Sequence, residues 1–319
     1  MALSTQVTEL FGIKYPILLA PMGNSAGAAL ATAVSQAGGL GLIGGGYGDR
    51  PWVEQQLAAA DLSQVGIGFI TWAIRGREDV FETAMARKPR AVFLSFGDPS
   101  PYIPAVRAAG SKLICQVQTV ADAVRAAELG ADAIVAQGTE AGGHGAARAT
   151  LPLVPAVVDA VGPVPVLAAG GIADGRGIAA ALMLGAQGVV VGTRFLATPE
   201  STMHPNGKAR IVASKGDDTL RTRVFDIVRG KDWPHHFTGR AIANGFTERW
   251  HGQEDVLARN LDAEMPRYAK AAADGDVGTA VVFAGEGMDL IHSIAPAQAV
   301  MDALIVETRA ALEKSRALL

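Results

Sequence analysis

Pro165-Val166-Leu167-Ala168-Ala169-Gly170-Gly171-Ile172-Ala173-Asp174-Gly175 is a short apolar run that stops at two glycines and passes, through an acidic N-cap, into a helix-like stretch. The run suits a strand buried on both faces. About twenty residues on, Val189-Val190-Val191-Gly192-Thr193-Arg194 repeats the join of apolar run to glycine. Working outward, eight such runs recur, at 17–20, 40–43, 66–70, 91–95, 112–116, 133–136, 165–169 and 188–192. Amphipathic stretches lie between them, among them 27–37, 78–87, 119–129 and 174–184. Thr119 and Asp174 are suited to cap helix N-termini, and Gly130 and Gly185 to stop helices at C′. A doubly wound sheet would also alternate in this way. Eight evenly spaced strands within about 200 residues favour closure. The predicted fold class is therefore α/β, a TIM (β/α)8 barrel.

The rhythm breaks at 198–276, a segment carrying Arg221, Arg223, Arg229, Lys231, Trp233, His235, His236, Arg240, Arg249, Trp250 and His251. It reads as a helical insertion after strand eight, a lid on the barrel mouth. The barrel itself is expected from 1–197 and 277–319, with the rhythm resuming at 285–290 and ending in a helix at about 297–318. The 319 residues are 49% hydrophobic and 18% charged, which suits one large core with an appended segment. A net charge of -3 gives nucleic-acid binding no electrostatic support. No run approaches the ~20 apolar residues of a membrane span. Met1-Ala2-Leu3-Ser4-Thr5 lacks a basic leader, so a cytoplasmic location is expected. The single cysteine, Cys115, excludes an internal disulfide and a multi-cysteine metal site; in its apolar run it reads as a buried, inert thiol.

Gly39-Leu40-Gly41-Leu42-Ile43-Gly44 matches the dinucleotide fingerprint in letters only, because its glycines straddle a strand instead of following one. A tight helix-to-strand turn explains them, and Gly44-Gly45-Gly46 reads as a flexible loop. Gly170-Gly171 and Gly192-Thr193 end strands seven and eight, where barrels commonly bind phosphate. Glycine lets amides approach an anion, and the helix starting near Asp174 adds its positive end. His144 stands in Gln137-Gly138-Thr139-Glu140-Ala141-Gly142-Gly143-His144-Gly145, after strand six. Neighbours this small cannot bury the ring, so it is expected to face a cavity, where a neutral imidazole can take a proton. No serine, cysteine or acidic residue stands at an informative spacing from it, so a hydrolase triad is unsupported. His235-His236 point to opposite faces if extended and H-E-x-x-H is lacking, so no metal site is expected. Ala20-Pro21-Met22-Gly23 closes strand one, and its thioether suits packing against a flat ring.

Four of these segments, 20–23, 137–145, 168–175 and Val191-Gly192-Thr193-Arg194-Phe195-Leu196-Ala197, resemble the nitronate monooxygenases, formerly called 2-nitropropane dioxygenases. The resemblance covers most of 10–200, with a weaker echo at 283–297. It extends to FMN-dependent quinone reductases and flavin enoyl-acyl-carrier-protein reductases, so it identifies the cofactor better than the substrate. It implies a TIM-like barrel holding FMN. Pro21, Met22 and Gly23 would line the flavin, with Gln116, Gln137, Gly142 and Gly143 against its ring or ribityl chain. Ala169, Gly170, Gly171, Gly192 and Thr193 would cradle its phosphate. His144 matches the family's active-site base.

The implied reaction is oxidation of alkyl nitronates, and of nitroalkanes, by dioxygen to a carbonyl compound and nitrite. Trp72 is an expected apolar wall for the substrate, and a homodimer is a further expectation. Two alternatives stand beside this reading. One is an NAD(P)H-dependent FMN reductase of quinones or enoyl thioesters, served by a basic mouth at 221–249. The other is a non-catalytic flavin-binding barrel. Gln116 stands where some relatives carry lysine, and Gly68 where some carry asparagine.

Overall fold

The computed structural model describes residues 3–316. Its strands are β1 (Ile17–Leu19), β2 (Leu42–Gly46), β3 (Gly66–Ile70), β4 (Ala91–Ser95), β5 (Lys112–Val117), β6 (Ala133–Gln137), β7 (Gly143–Gly145), β8 (Val166–Ala169), β9 (Gly188–Val191), β10 (Thr219–Thr222) and β11 (Thr238–Ile242). Eight of them form one parallel sheet in the order β1-β9-β8-β6-β5-β4-β3-β2. A single bridge, Leu18 to Leu40, joins its ends, with the Leu19 amide donating to the Leu40 carbonyl at 2.9 Å. The sheet is thus the expected barrel, and each of the eight apolar runs supplies one strand.

Alternation along the strands separates two cores. Ile17, Leu19, Ile67, Val92 and Leu94 face the surrounding helices, in the same apolar layer as Leu30 and Val157. Leu18, Phe93, Ile114, Val135, Leu167 and Val190 fill the barrel, and Val7 and Phe11 of the first helix join them as a plug. Cys115 belongs to the outer layer, and burial pushes its thiol up to about 12. The helices between strands stop where expected. Thr119 Oγ1 accepts from the Asp122 amide, and Gly130 and Gly185 take φ of +80° and +94°.

Two local expectations change. Gly44, Gly45 and Gly46 are not a loop but the end of β2, with a register shift between Gly44 and Gly46. They are bare because chain lies directly on them. A Cβ at Gly44 would stand 2.2 Å from the Met22 carbonyl oxygen, and one at Gly41 1.8 Å from that of Ala31. The glycines of 39–44 serve close packing, as the sequence suggests.

The segment after β9 is helical as expected at Pro205–Ala213, Val224–Val228, Gly245–Trp250, Glu254–Arg259 and Leu261–Asp274. It also carries two strands that its sequence does not announce. β10 and β11 pair antiparallel, and β11 pairs in turn with β7, setting Gly239 opposite His144. Val224, Phe225, Phe246, Trp250, Leu257 and Tyr268 give the segment a small core of its own. Its sheet is therefore grafted onto the loop that follows β6, at the C-terminal end of the barrel. The chain returns through a 3-10 turn at Glu286–Leu290 and a helix at Ala297–Arg316. Positions 317 and 318 of the expected last helix lie outside the described residues. Among the described residues no helix is long and apolar enough to cross a membrane.

Candidate active site

The C-terminal ends of the strands enclose a cavity of about 380 Å³. Pro21, Met22, Gly23, Gln116, Gln137, Gly142, Gly143, His144, Ala169, Gly170, Gly171, Gly192 and Thr193 all line it. One side is built of the β8 and β9 turns. Gly170 and Gly171 hold φ of +111° and +70°, left-handed backbone that glycine adopts without penalty. The amides of Gly171, Ile172 and Ala173 donate to no protein acceptor among the described residues. That is a cradle of free donors on backbone without side chains. The helix that follows does not contribute its positive end. Asp174 accepts from the amides of Arg176 and Gly177 at 3.0 and 3.1 Å, and Glu307 from that of Gly175 at 2.9 Å. Its first donors are spent on carboxylates, so any anion here is held by the turn alone.

The opposite side comes from the first strands. Pro21 presses on Gly68, where a Cβ would stand 2.4 Å from Pro21 Cγ. The bare position on β3 is thus matched to the proline, and an asparagine would not fit. Gln116 and Gln118 both donate to Gln137 Oε1, at 3.1 and 2.7 Å, and Gln137 Nε2 donates to the His144 carbonyl at 3.0 Å. This amide chain fixes the backbone of the histidine loop.

The His144 ring meets groups that lie far off in the chain. Its Nε2 is 2.9 Å from both oxygens of Asp226. Its face stacks on Trp233 with centroids 3.5 Å apart and planes 4° from parallel. Its side chain is 8% exposed and that of Asp226 3%. Burial pushes the imidazole pKa below its usual value, and the hydrogen bond to Asp226 pulls against that. Arg229 Nη2 donates to Asp226 Oδ1 at 2.9 Å. Trp233 Nε1 donates to the Tyr47 hydroxyl at 2.8 Å, and burial pushes that phenol up.

The family model for nitronate monooxygenase matches residues 4–65 and 72–307. The chain belongs to the nitronate monooxygenase family. It is accordingly an oxidoreductase, and its family is one of flavin enzymes. The unmatched gap, 66–71, contains β3 and the bare Gly68. The nitronate monooxygenase npaC of Metarhizium robertsii is 35% identical over 304 residues, covering 83% of this chain and 82% of that protein. A Mycobacterium tuberculosis protein named (3aS,4S,5R,7aS)-5-hydroxy-7a-methyl-1-oxo-octahydro-1H-indene-4-carboxyl-CoA dehydrogenase is 30% identical, covering 100% of this chain and 99% of its own. Among solved structures, FabK from Thermotoga maritima superposes with a TM-score of 0.85 at 33% identity, covering 99% of each chain.

In this member of the nitronate monooxygenase family, the groups that sequence reasoning missed are Asp226, Arg229, Trp233, Tyr47, Phe96 and Phe283. Asp226 lies 82 residues beyond His144, and no motif links the two. The cluster of arginines and aromatics at 221–250 was the available signal, but Arg221, Arg229 and Arg240 turn inward while Arg249 stays exposed. Arg221 donates to Thr139, Gly145 and Thr238, and burial, with Arg240 beside it, pushes its pKa down to about 10. Arg240 holds the Thr139 carbonyl and pairs with Glu286 at 2.8 Å. Both clamp the histidine loop. The ring of Trp72 does not line the cavity. It packs edge-on behind Trp233 and Tyr47, at 5.3 and 6.0 Å, and Trp233 takes the place expected for it.

Proposed function

We propose that the chain oxidises alkyl nitronates, and nitroalkanes through their nitronates, with FMN as cofactor and dioxygen as oxidant, releasing a carbonyl compound and nitrite. The observation that carries this reading is His144, a desolvated imidazole with a carboxylate behind it at the edge of a cavity with a phosphate-sized amide cradle.

The residues fit FMN. The free amides of Gly171, Ile172 and Ala173 suit a single phosphate, and Gly192 and Thr193 line the same cavity. Pro21, Met22 and Gly23 offer a flat apolar edge to the ring, and Gln116 and Gly142 lie across the cavity from them. When bound, FMN would supply the electron transfer between substrate and dioxygen. The protein's work is orientation and proton handling. Tyr47, Phe96, Trp233 and Phe283 surround the His144 side of the cavity with aromatic surface and exclude water there. His144 takes the proton from the carbon beside a nitro group, and Asp226 sustains the positive charge that the ring then bears. We assign residues 198–276 as the lid that brings Asp226 and Trp233 to the barrel.

A reductase of enoyl thioesters would call for a cationic mouth, and Arg221, Arg229 and Arg240 are committed to protein partners. The test is His144→Asn with flavin content matched. Turnover of a neutral nitroalkane should fall ~10²–10⁴-fold, while that of the preformed nitronate falls less, its proton being gone already. Equal activity of both proteins on both substrates overturns the role of His144. Rapid anaerobic bleaching by NADPH without nitronate turnover favours the reductase.

A further inference from the structure

We infer that Asp226 is a positioning residue that locks His144 in its Nε2–H tautomer, so that Nδ1 is the atom presented to the substrate. The tautomer lock stands on geometry alone; the use of Nδ1 as base rests on the function proposed above.

A carboxylate only accepts, so a ring nitrogen 2.9 Å from both of its oxygens must donate. Nε2 therefore carries the proton in the neutral ring, and Nδ1 carries the lone pair. Nδ1 has no protein partner among the described residues, and His144 lines the cavity. Little freedom is left for the ring to turn. Trp233 fixes its plane, Gln137 holds its carbonyl, and β11 pairs with its strand. Asp226 is itself oriented, because Arg229 donates to Oδ1 while Arg229 Nε donates to the Phe225 carbonyl at 2.9 Å.

When Nδ1 takes a proton the ring becomes a cation held between the carboxylate and the face of Trp233, both of which favour it. The charged groups that face it are Asp226 and Arg229 from the helix Val224–Val228 and the turn after it, and Arg221 from β10. Tyr47 adds its hydroxyl from behind Trp233. The two arginines oppose the cation, so Asp226 alone among these charges supports it. A purely structural Asp226, present only to pair Arg229 in the lid, would leave the histidine tautomer indifferent to its replacement.

Asp226→Asn makes the distinction. Because Arg229 donates to Oδ1, the new amide turns its oxygen to Arg229 and its NH2 to Nε2 of His144. The tautomer should then invert to Nδ1–H. The experiment is long-range 1H–15N spectroscopy of the 15N-histidine-labelled full chain with flavin bound, His144 being identified by its loss in His144→Asn. The expected result is Nε2–H in the wild type, Nδ1–H in Asp226→Asn with a lower titration midpoint, and return to Nε2–H in Asp226→Glu. Nδ1–H in the wild type, or the same tautomer and midpoint in wild type and Asp226→Asn, overturns the inference. Should Asp226→Asn fold poorly, Asp226→Leu with Arg229→Met removes both charges together. Loss of the single Nε2–H form in that variant supports the lock, and its persistence overturns it. In turnover, kcat for a neutral nitroalkane should fall roughly tenfold or more in Asp226→Asn with KM little changed, and less for the nitronate. A wild-type Nε2–H signal that inverts as described, in a protein that leaves nitroalkanes untouched, keeps the tautomer lock and removes the proposed reaction.

Discussion

Gly171 pairs φ of +70° with an amide that no protein group takes up, and a Cβ there would stand 3.1 Å from Glu140 Cβ. Gly171→Ala should cost about 1–2 kcal/mol of stability through left-handed strain, yet keep flavin. Gly171→Asp adds a negative charge at the cradle. It should emerge from gel filtration folded but colourless, and full 450-nm-region absorbance would place the phosphate elsewhere. His144 carries a second residue-scale prediction. Burial lowers its pKa in the fold, so below the ordinary histidine value of ~6.5 the unfolded chain binds a proton that the native chain refuses. The contribution of His144 is therefore complete above that value and lost as pH falls from it toward the folded pKa. Thermal melts of the wild type should decline more steeply from pH 7 to pH 5 than those of His144→Asn. Parallel curves would mean that the ring is not desolvated in solution.

Loop 137–145 carries His144, the base of the proposed reaction, and it is held by groups lying outside it. β7 has three residues, two of them glycine, and exists as a strand only because β11 lies beside it. Arg221 spans Thr139, Gly145 and Thr238. Arg221→Met should free these carbonyls and cost about 1–3 kcal/mol. Amide exchange at Gly143–Gly145 should rise while flavin stays bound, and unchanged exchange there would show that β11 suffices. The same contrast explains what the sequence discloses. The eight barrel strands are legible because each is an apolar run closed by a turn residue, a local pattern. Thr119, Asp174, Gly130 and Gly185 are legible because capping is local too. β7, β10 and β11 are not, since Gly-His-Gly and Thr-Leu-Arg-Thr hold no apolar alternation, and Gly145 of β7 finds its partner only at Thr238 of β11. Asp226 is hidden for that reason: its partner is chosen by the sheet that β11 completes.

At the scale of the molecule, the cavity divides between two sources. The cradle turns and the Pro21–Met22–Gly23 edge come from the barrel, while Arg229 and Trp233, with Asp226 against His144, come from the segment after β9. The turns at Gly170-Gly171 and Gly192-Thr193 could be read ahead of the structure because each closes an apolar run locally, and the contributions of 198–276 could not, because an arginine-rich stretch has several meanings. The barrel also carries a consequence in β5. Cys115 is the chain's only cysteine, buried among the helix-facing residues, with its thiol pushed up to about 12. Neither surface breathing nor thiolate chemistry gives a reagent access to it; the wall must open. A disulfide reagent at pH 8 should therefore titrate one equivalent in denaturant and almost none in the native protein, whereas prompt native labelling would mean a looser barrel. The single thiol is thus a clock built into the wall, and its rate reports how often the barrel opens. Each 1.4 kcal/mol of added grip should slow it tenfold, so stepwise addition of the flavin should lengthen the interval by mass action. How tightly the barrel holds its cofactor could then be timed on a sulfur atom that never touches it.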